Sequence, residues 1–175
     1  MFGMLRFWIE PGEKIVANQY RYRRWKNRKG PIAALVRGYC KFQHRYWRFV
    51  TTCLINIEAE IHPTAKLIHA IGVMIHKDAV IGENCMIMQH VTLGQLAGPG
   101  APKLGRNVYV GAGARVLGPV TIGDNARIGA NAVVIKDVPA NATAVGVPAR
   151  IILRDEPASS EAAPESPAQT PSGAA

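Results

Sequence analysis

The chain has few cysteines and no long apolar run. Its three cysteines, Cys40, Cys53 and Cys85, show none of the short spacings of zinc or redox sites, so they indicate buried thiols in a reducing compartment. No uncharged apolar stretch reaches the roughly 18 residues that a membrane-spanning helix needs. The start, MFGMLRFWIEPGEK, lacks the basic residues, apolar run and small-residue cleavage site of a signal peptide. We therefore expect a cytoplasmic protein.

Acidic residues are scarce at the start of the chain and basic residues are absent from its end. Residues 1–50 contain twelve basic residues (Lys or Arg) and two acidic ones. Residues 51–154 contain nine basic and six acidic residues, and residues 155–175 contain four acidic residues and no basic one. The net charge of +9 is thus a property of the N-terminal region. Because the last segment also lacks aromatic residues, we interpret residues 155–175 as a disordered tail.

A six-residue repeat runs from Ile57 to about Arg150. The fifth position of each repeat is small or aliphatic, and glycine recurs at the second. The first position is aliphatic at Ile57, Ile75, Ile81, Ile87, Leu93, Leu104, Val110, Val116, Ile122, Ile128 and Val134. A period this short predicts a parallel β-helix, in which each repeat is one short strand plus a turn and three repeats close a coil. An α-helix would need apolar spacings of three and four.

These patterns divide the chain into three regions. We predict a basic, helical N-terminal region over residues 1–56, a β-helix domain over 57–154 and the tail over 155–175. One interruption breaks the period inside the β-helix. The segment QLAGPGAPK, residues 95–103, is predicted to protrude as a loop without disturbing the register, and loops on rigid scaffolds commonly carry function.

The N-terminal region contains a candidate amphipathic helix. From Ile32 to Leu54 the apolar residues follow helical spacing with basic residues on other sides, and Gly30 and Pro31 favour a helix start. The apolar side is interpreted as packing on the β-helix end or a neighbouring subunit, or as attaching to an anionic membrane surface. Aromatic and basic residues together also suit nucleic acid, but no nucleic-acid motif accompanies them, so we expect no such partner.

Histidine is the residue type that departs from the repeat. His69 occupies a first position, where the pattern otherwise places an aliphatic core residue, and an imidazole there is a candidate general base. A histidine hydrogen-bonded to backbone at the unfinished end of the helix is the structural alternative. His90 follows by 21 residues, one coil plus three, so both belong on one face, whereas His62 and His76 fall on others. A histidine pair is compatible with zinc only if a neighbouring subunit completes the ligands, and we predict no metal.

One segment carries a specific family resemblance. HAIGVMIHKDAVIGENCMIMQHVTLGQ, from His69 to Gln95, resembles the active-site coils of serine acetyltransferases, as do VGAGARVLG from Val110, IGANAVV from Ile128 and AVGVPARII from Ala144. The resemblance covers roughly residues 60–152. It implies a left-handed parallel β-helix of hexapeptide repeats, a homotrimer with active sites between subunits, and acetyl transfer from acetyl-CoA to a hydroxyl.

The resemblance also implies residue roles. His69 would take the proton of the acceptor hydroxyl in a direct transfer. The surroundings of Ala112 and Ala130 would line the groove for the pantetheine arm, and Arg150 in the GVPAR motif would approach the coenzyme phosphates. Glu60 in EIHP resembles the carboxylate of the family's Asp-Ile-His-Pro motif and is a candidate for orienting His69. It stands nine residues before the histidine instead of fifteen, however, which would move it by one strand.

Departures from the family bear on the acceptor. Ile68 stands where serine acetyltransferases carry a carboxylate, and Gly100 and Ala101 stand where they carry an Arg-His pair, side chains associated with holding the amino acid. With a short basic region replacing the family's large helical domain, these departures favour a sugar hydroxyl, lipid-linked and acetylated at the inner membrane face in surface polysaccharide synthesis. The alternatives are serine O-acetylation for cysteine synthesis, a carbonic-anhydrase-like zinc enzyme and a non-catalytic trimeric scaffold.

Overall fold

Two helices open the computed structural model, which describes residues 11–96 and 98–153. They are α1, Pro11–Trp25, and α2, Pro31–Thr51. Pro31 begins α2 because a proline at the first helical position loses no hydrogen bond, as its missing N–H would have no partner there. α2 is capped at its C-terminal end by Thr52, whose backbone is left-handed with φ 54°. The predicted tail lies outside the described residues.

Fifteen short strands follow within the described residues. They are β1 Leu54–Ile55, β2 Glu60–Ile61, β3 Lys66–Leu67, β4 Met74–Ile75, β5 Val80–Ile81, β6 Met86–Ile87, β7 Thr92–Gly94, β8 Lys103–Leu104, β9 Tyr109–Val110, β10 Arg115–Leu117, β11 Thr121–Ile122, β12 Arg127–Ile128, β13 Val133–Val134, β14 Thr143–Val145 and β15 Arg150–Ile152.

The strands form three parallel sheets, one on each face of a prism. Sheet A orders β1-β4-β7-β10-β13, sheet B orders β2-β5-β8-β11, and sheet C orders β3-β6-β9-β12-β14. Up to β13 every third strand shares a face, so that three repeats close one coil, as the period predicts. β14 follows β12 in sheet C because the rung of sheet B between β13 and β14 is a single bridge, Ile122 to Val138. β15 adds to β14 in the antiparallel sense and ends sheet C.

A ladder of aliphatic side chains fills the prism. Each two-residue strand turns one residue inward, because neighbouring residues of a strand point to opposite faces. Ile81, Ile87, Leu93, Val110 and Ile128 are all at most 1% exposed. Buried small residues, Ala79, Cys85, Ala126 and Ala132 among them, lie two positions before the inward residues and fill the turns. The predicted first and fifth positions thus form the core from β4 onward.

The first coil has a different register from the one predicted. Its inward residues are Ile55, Ile61 and Leu67, which pair with Ile75, Ile81 and Ile87, each 20 residues later. From Ile75 to its partner Leu93 the separation is 18. The turn between β3 and β4 therefore holds two extra residues. Placing Ile57 and His69 at inward positions was wrong, because that turn shifts the repeat by two.

The interruption after β7 leaves the sheets in register. Ile81 of β5 pairs with Leu104 of β8, so the chain leaves the prism after β7 and returns to the next rung of sheet B at β8. Ala101 and Pro102 are buried as the chain returns, and Lys103 is already part of β8.

α1 lies between α2 and the first coil. The Asn18 side-chain amide donates to the Cys40 carbonyl of α2 at 2.9 Å. The Gln19 amide donates to the carbonyl oxygens of Asn56 and Ala59, at 2.6 and 3.2 Å. These bonds fix both helices to the start of the prism. Neither described helix combines the length and apolarity that crossing a membrane requires.

Candidate active site

The edge at which sheet C turns into sheet A carries most of the predicted site residues. The turns along this edge, here called the C–A corner, are residues 68–73, 88–91, 111–114 and 129–132. Backbone hydrogen bonds stack them: the amides of His90, Gly113 and Asn131 donate to the carbonyl oxygens of Ile71, Gln89 and Ala112 at 2.8–3.0 Å. The C–A corner is therefore a rigid column of turns.

His69 lies at the tip of the two-residue bulge in the first of these turns. Its backbone is left-handed, with φ 48°, and its side chain is exposed. The following residue, Ala70, is 1% exposed and anchors the bulge, and the amide of Ile71 donates to the His69 carbonyl at 2.6 Å. The insertion that removes His69 from the core presents its imidazole to solvent at a defined corner, as a general base requires.

His90 lies against the turn that carries His69. A Cβ atom added to Gly72 would overlap Nδ1 of His90, so the imidazole packs directly over this glycine. His69 and His90 thus share the C–A corner in adjacent coils, as their spacing predicts. His62 follows β2 at the B–C corner and His76 follows β4 at the A–B corner. Within residues 11–96 and 98–153, no three His, Cys, Asp or Glu side chains are grouped to hold a metal.

Ala112 and Ala130 also lie on the C–A corner, one coil apart. The neighbouring glycines have a structural explanation, because a Cβ on Gly111 would meet the Ala130 amide nitrogen at 2.6 Å and one on Gly129 would meet Val145 Cγ1 at 2.7 Å. The glycines are therefore required by coil stacking. The alanines are not part of that stacking: Ala112 is half-buried and Ala130 is exposed. Because both side chains are small, they leave an open strip along the corner.

Gln89 supplies a polar group that the sequence did not predict. Its side-chain Oε1 is buried beside His90 and accepts no hydrogen bond from any described residue. A buried acceptor without a partner is costly, so a donor from a ligand would stabilise it. The sequence carried no signal for it, because a glutamine in a turn is usually an ordinary surface residue.

Arg150 begins β15, at the far end of sheet C. It is exposed and pairs with Val145 of β14. Five strand spacings separate β15 from β3 in this sheet, which is about 24 Å at the usual interstrand distance. A ligand that reached from Arg150 to His69 would be long and would follow the C–A corner.

Glu60 is not brought to His69. It belongs to β2 of sheet B, and its Oε1 lies 3.0 Å from Nη2 of Arg23 in α1. No described hydrogen bond joins it to the imidazole. Since β2 and β3 are successive strands on different sheets, the shorter spacing in the sequence places the carboxylate on another face. The pairing with Arg23 does not support Glu60 as the group that orients His69. Leu54, which stands fifteen residues before His69 and so has the family's spacing for this carboxylate, is apolar.

The positions that depart from the family offer no charged group here. Ile68, directly before the histidine, is half-buried. In the loop, Gly100 has φ 109° and a Cβ there would meet Pro119 Cβ at 2.7 Å, while Ala101 is 4% exposed. The end of the loop is therefore folded against the A–B corner, away from His69 of the same protomer.

Two clefts lie elsewhere, where α1 meets the B–C corner. Their volumes are 790 and 760 Å³, and Tyr20 and Arg24 line both. His69 lines neither of them.

Comparisons with known proteins bear on the fold and on the family resemblance. The family model described as bacterial transferase hexapeptide (six repeats) matches residues 101–136. Over 72 residues the chain is 49% identical to a probable serine acetyltransferase 1 of Oryza sativa and 46% identical to a serine acetyltransferase of Synechococcus elongatus. Each match covers 36% of this chain but only 24% and 30% of those relatives.

Solved structures extend the likeness. A Neisseria gonorrhoeae serine acetyltransferase in complex with serine is 33% identical, with a TM-score of 0.69, over 81% of this chain and 57% of that one. The soybean serine acetyltransferase apoenzyme is 37% identical, with a TM-score of 0.64, over 78% and 55%. A serine acetyltransferase in complex with CoA is 32% identical, with a TM-score of 0.62, over 77% of this chain and 52% of that one. The predicted left-handed β-helix is thus confirmed, and the chain resembles serine acetyltransferases over its hexapeptide coils.

Proposed function

We propose that this chain is an acetyl-CoA-dependent O-acetyltransferase with its active site on the C–A corner. The observation that supports this best is the exposed His69 at the tip of a fixed bulge, on the same corner as Ala112 and Ala130. The relatives named above are acetyltransferases.

In the proposed reaction His69 acts as a general base. Its neutral imidazole removes the hydroxyl proton of the acceptor as that oxygen attacks the thioester carbonyl carbon. The new C–O bond forms, the C–S bond breaks, and the leaving coenzyme A thiolate takes the proton from the imidazolium, which restores the base. General-base assistance of this kind contributes about 10²–10⁴-fold in rate. The left-handed backbone of His69 and the buried Ala70 fix the turn that carries the imidazole.

The corner has features that suit the co-substrate. Acetyl-CoA supplies an activated thioester on a long, thin arm. The buried Gln89 oxygen without a partner can accept an N–H from such a ligand, and Ala112 and Ala130 leave room beside the stacked turns. Arg150 adds an exposed positive charge at the far end of sheet C for phosphate groups. The relative solved with CoA supports this assignment.

L-Serine is the acceptor that the relatives favour. The Neisseria gonorrhoeae structure contains serine, and the curated relatives are described as serine acetyltransferases. We therefore place serine O-acetylation, as in cysteine synthesis, ahead of a sugar acceptor.

A sugar hydroxyl remains the second candidate because of three positions. A free amino acid carries two charges that need partners, yet Ile68 is apolar, Gly100 has no side chain and Ala101 is buried. Nothing at these positions can pair with an ammonium or a carboxylate, whereas an uncharged acceptor would not require it.

A homotrimer is part of the proposal. Within one protomer the end of the loop, at Gly100 and Ala101, lies at the A–B corner, and no carboxylate of the described residues pairs with His69. A neighbouring subunit that placed its loop beside the C–A corner would complete the site. Light scattering of the pure protein should then give three times the chain mass of 18.9 kDa.

Coenzyme A release tests the reaction. Purified protein is offered acetyl-CoA with L-serine, or with a panel of nucleotide-linked and lipid-linked sugars. We expect release with serine, and His69→Ala should lower kcat by about 10²–10⁴-fold.

His62→Ala is the matched control, because this histidine also follows a strand but lies at the B–C corner near Glu83. It should retain wild-type kcat. Release with sugars alone would replace serine by the second candidate. Unchanged release by His69→Ala would remove His69 as the base, and an inactive wild-type protein would favour a scaffold.

A further inference from the structure

The outer face of α2 is apolar although the helix already packs on the protein through another face. The residues turned towards the domain are small or polar: Ala33, Cys40, His44 and Thr51. The large apolar side chains point away, except Trp47, which is half-buried and packs against the core. Their exposed fractions are Ile32 69%, Leu35 75%, Tyr39 50%, Phe42 70%, Tyr46 49% and Phe49 88%. A helix on the surface of a globular protein normally shows the opposite arrangement.

These residues form one continuous stripe. They are separated by alternating steps of three and four, which keeps them on a single side of a helix. The helix has 21 residues, so it extends for about 32 Å at the usual rise per residue. We call this stripe the outer face of α2. An exposed apolar patch of this length marks a surface that binds something.

The inner face of α2 holds the helix in this orientation. His44 lies 2.9 Å from the Ile55 carbonyl oxygen of β1, and the Cys40 carbonyl accepts the Asn18 amide of α1. Rotating the helix to bury its aromatic residues against the domain would break both contacts. The prediction that the apolar side packs on the chain's own β-helix therefore holds for Trp47 but not for the exposed stripe, and packing on a neighbouring subunit stays a prediction.

Charge distinguishes between the occupants of such a face. α2 contains Arg37, Lys41, Arg45 and Arg48 and no acidic residue. Among the described residues, none of these four forms an ion pair with a carboxylate. A second copy seated on the outer face would bring its own α2, with four more basic residues and no acidic one, beside this helix, so no opposite charges would pair the two helices. An anionic surface would neutralise them.

We propose that the outer face of α2 binds the surface of an anionic lipid bilayer. The helix lies in the plane of the interface, with Phe42 and Phe49 among the acyl chains near the headgroups and Tyr39 and Tyr46 at headgroup level. Lys41 and Arg45 contact the lipid phosphates. The arrangement attaches the protein to a membrane without crossing it. This proposal is independent of the acetyl transfer proposed above.

Vesicle sedimentation with the full chain tests the proposal. Vesicles of phosphatidylcholine with phosphatidylserine are compared with pure phosphatidylcholine, at low and high salt. We expect at least tenfold stronger binding to the anionic vesicles, reduced by salt. Phe42→Ser with Phe49→Ser should weaken binding at least tenfold, because it removes the two side chains proposed to enter the acyl region. Both are exposed, so their loss leaves the core unchanged.

Charge variants separate the two contributions. Lys41→Gln with Arg45→Gln should weaken binding by about 25-fold, at about fivefold for each basic residue near an anionic surface. Two matched controls should bind like the wild type: Leu96→Ser with Leu153→Ser, which removes exposed apolar residues elsewhere, and Lys103→Gln with Arg115→Gln, which removes exposed charges from strands.

Three results would overturn the proposal. One is a wild-type protein that stays in solution with anionic vesicles. Another is unchanged binding by the double phenylalanine variant. The third comes from light scattering without vesicles: a lower mass for that variant than for the wild type would show that the outer face of α2 joins copies of this chain.

Discussion

Replacing Gly72 by alanine should destabilise the turn that carries His69. Gly72 has φ 63°, in the left-handed region that alanine adopts at a cost of about 1–2 kcal/mol. Part of that cost is offset because alanine lowers the conformational entropy of the unfolded chain, by about 0.4–1 kcal/mol. The added Cβ would also overlap Nδ1 of His90. His90 is exposed and its imidazole can rotate, so this overlap adds no more than about 1 kcal/mol. We expect a net loss of about 1–2 kcal/mol.

Urea unfolding at one fixed protomer concentration measures this loss, with midpoint and slope analysed together. His90→Ala in the Gly72→Ala background should recover the part due to the overlap and leave the part due to φ. Gly38→Ala is the matched control. Gly38 is exposed within α2 and has open space around its Cα, so alanine there should stabilise by about 0.5–1 kcal/mol. Equal stability of Gly72→Ala and the wild type would refute the assigned turn geometry.

Two further predictions concern the core and pH. Ile87 is fully buried in the aliphatic ladder, so Ile87→Ala should lower the free energy of unfolding by about 2–5 kcal/mol; Ile135→Ala, at a position that is 44% exposed, should cost far less in the same assay. For His44, burial first and Arg48 second hold the pKa below its usual 6.5, although the hydrogen bond with Ile55 opposes them. Near this pH the unfolded chain binds more protons at His44 than the folded chain does. The free energy of unfolding therefore falls as the pH drops below about 6.5. His44→Gln should lose less free energy of unfolding than the wild type between about pH 7.5 and 5.5, and equal losses would contradict the depressed pKa.

The sequence predicts the coils well because each repeat carries its own information. An aliphatic residue every six positions can be buried in only one way when three strands close a coil, so the ladder through Ile81, Ile87 and Leu93 follows from the period alone. The outer face of α2 could not be predicted in the same way. Helical spacing shows which residues share a side, but which side is buried depends on tertiary contacts, here the Asn18 and His44 hydrogen bonds.

The error at His69 has the same origin and bears on function. Counting in sixes from Ile75 backwards puts a histidine in the core, and the count fails because His69 and Ala70 are additional residues in the turn. The actual inward residue of that repeat is Leu67, which pairs with Ile87 across sheet C. A break of two in a period of six is hard to see when only three repeats precede it. It nevertheless distinguishes a buried histidine that only packs from an exposed one that can meet a substrate, and the hydrogen-bonded column of the C–A corner then determines what else lies beside it.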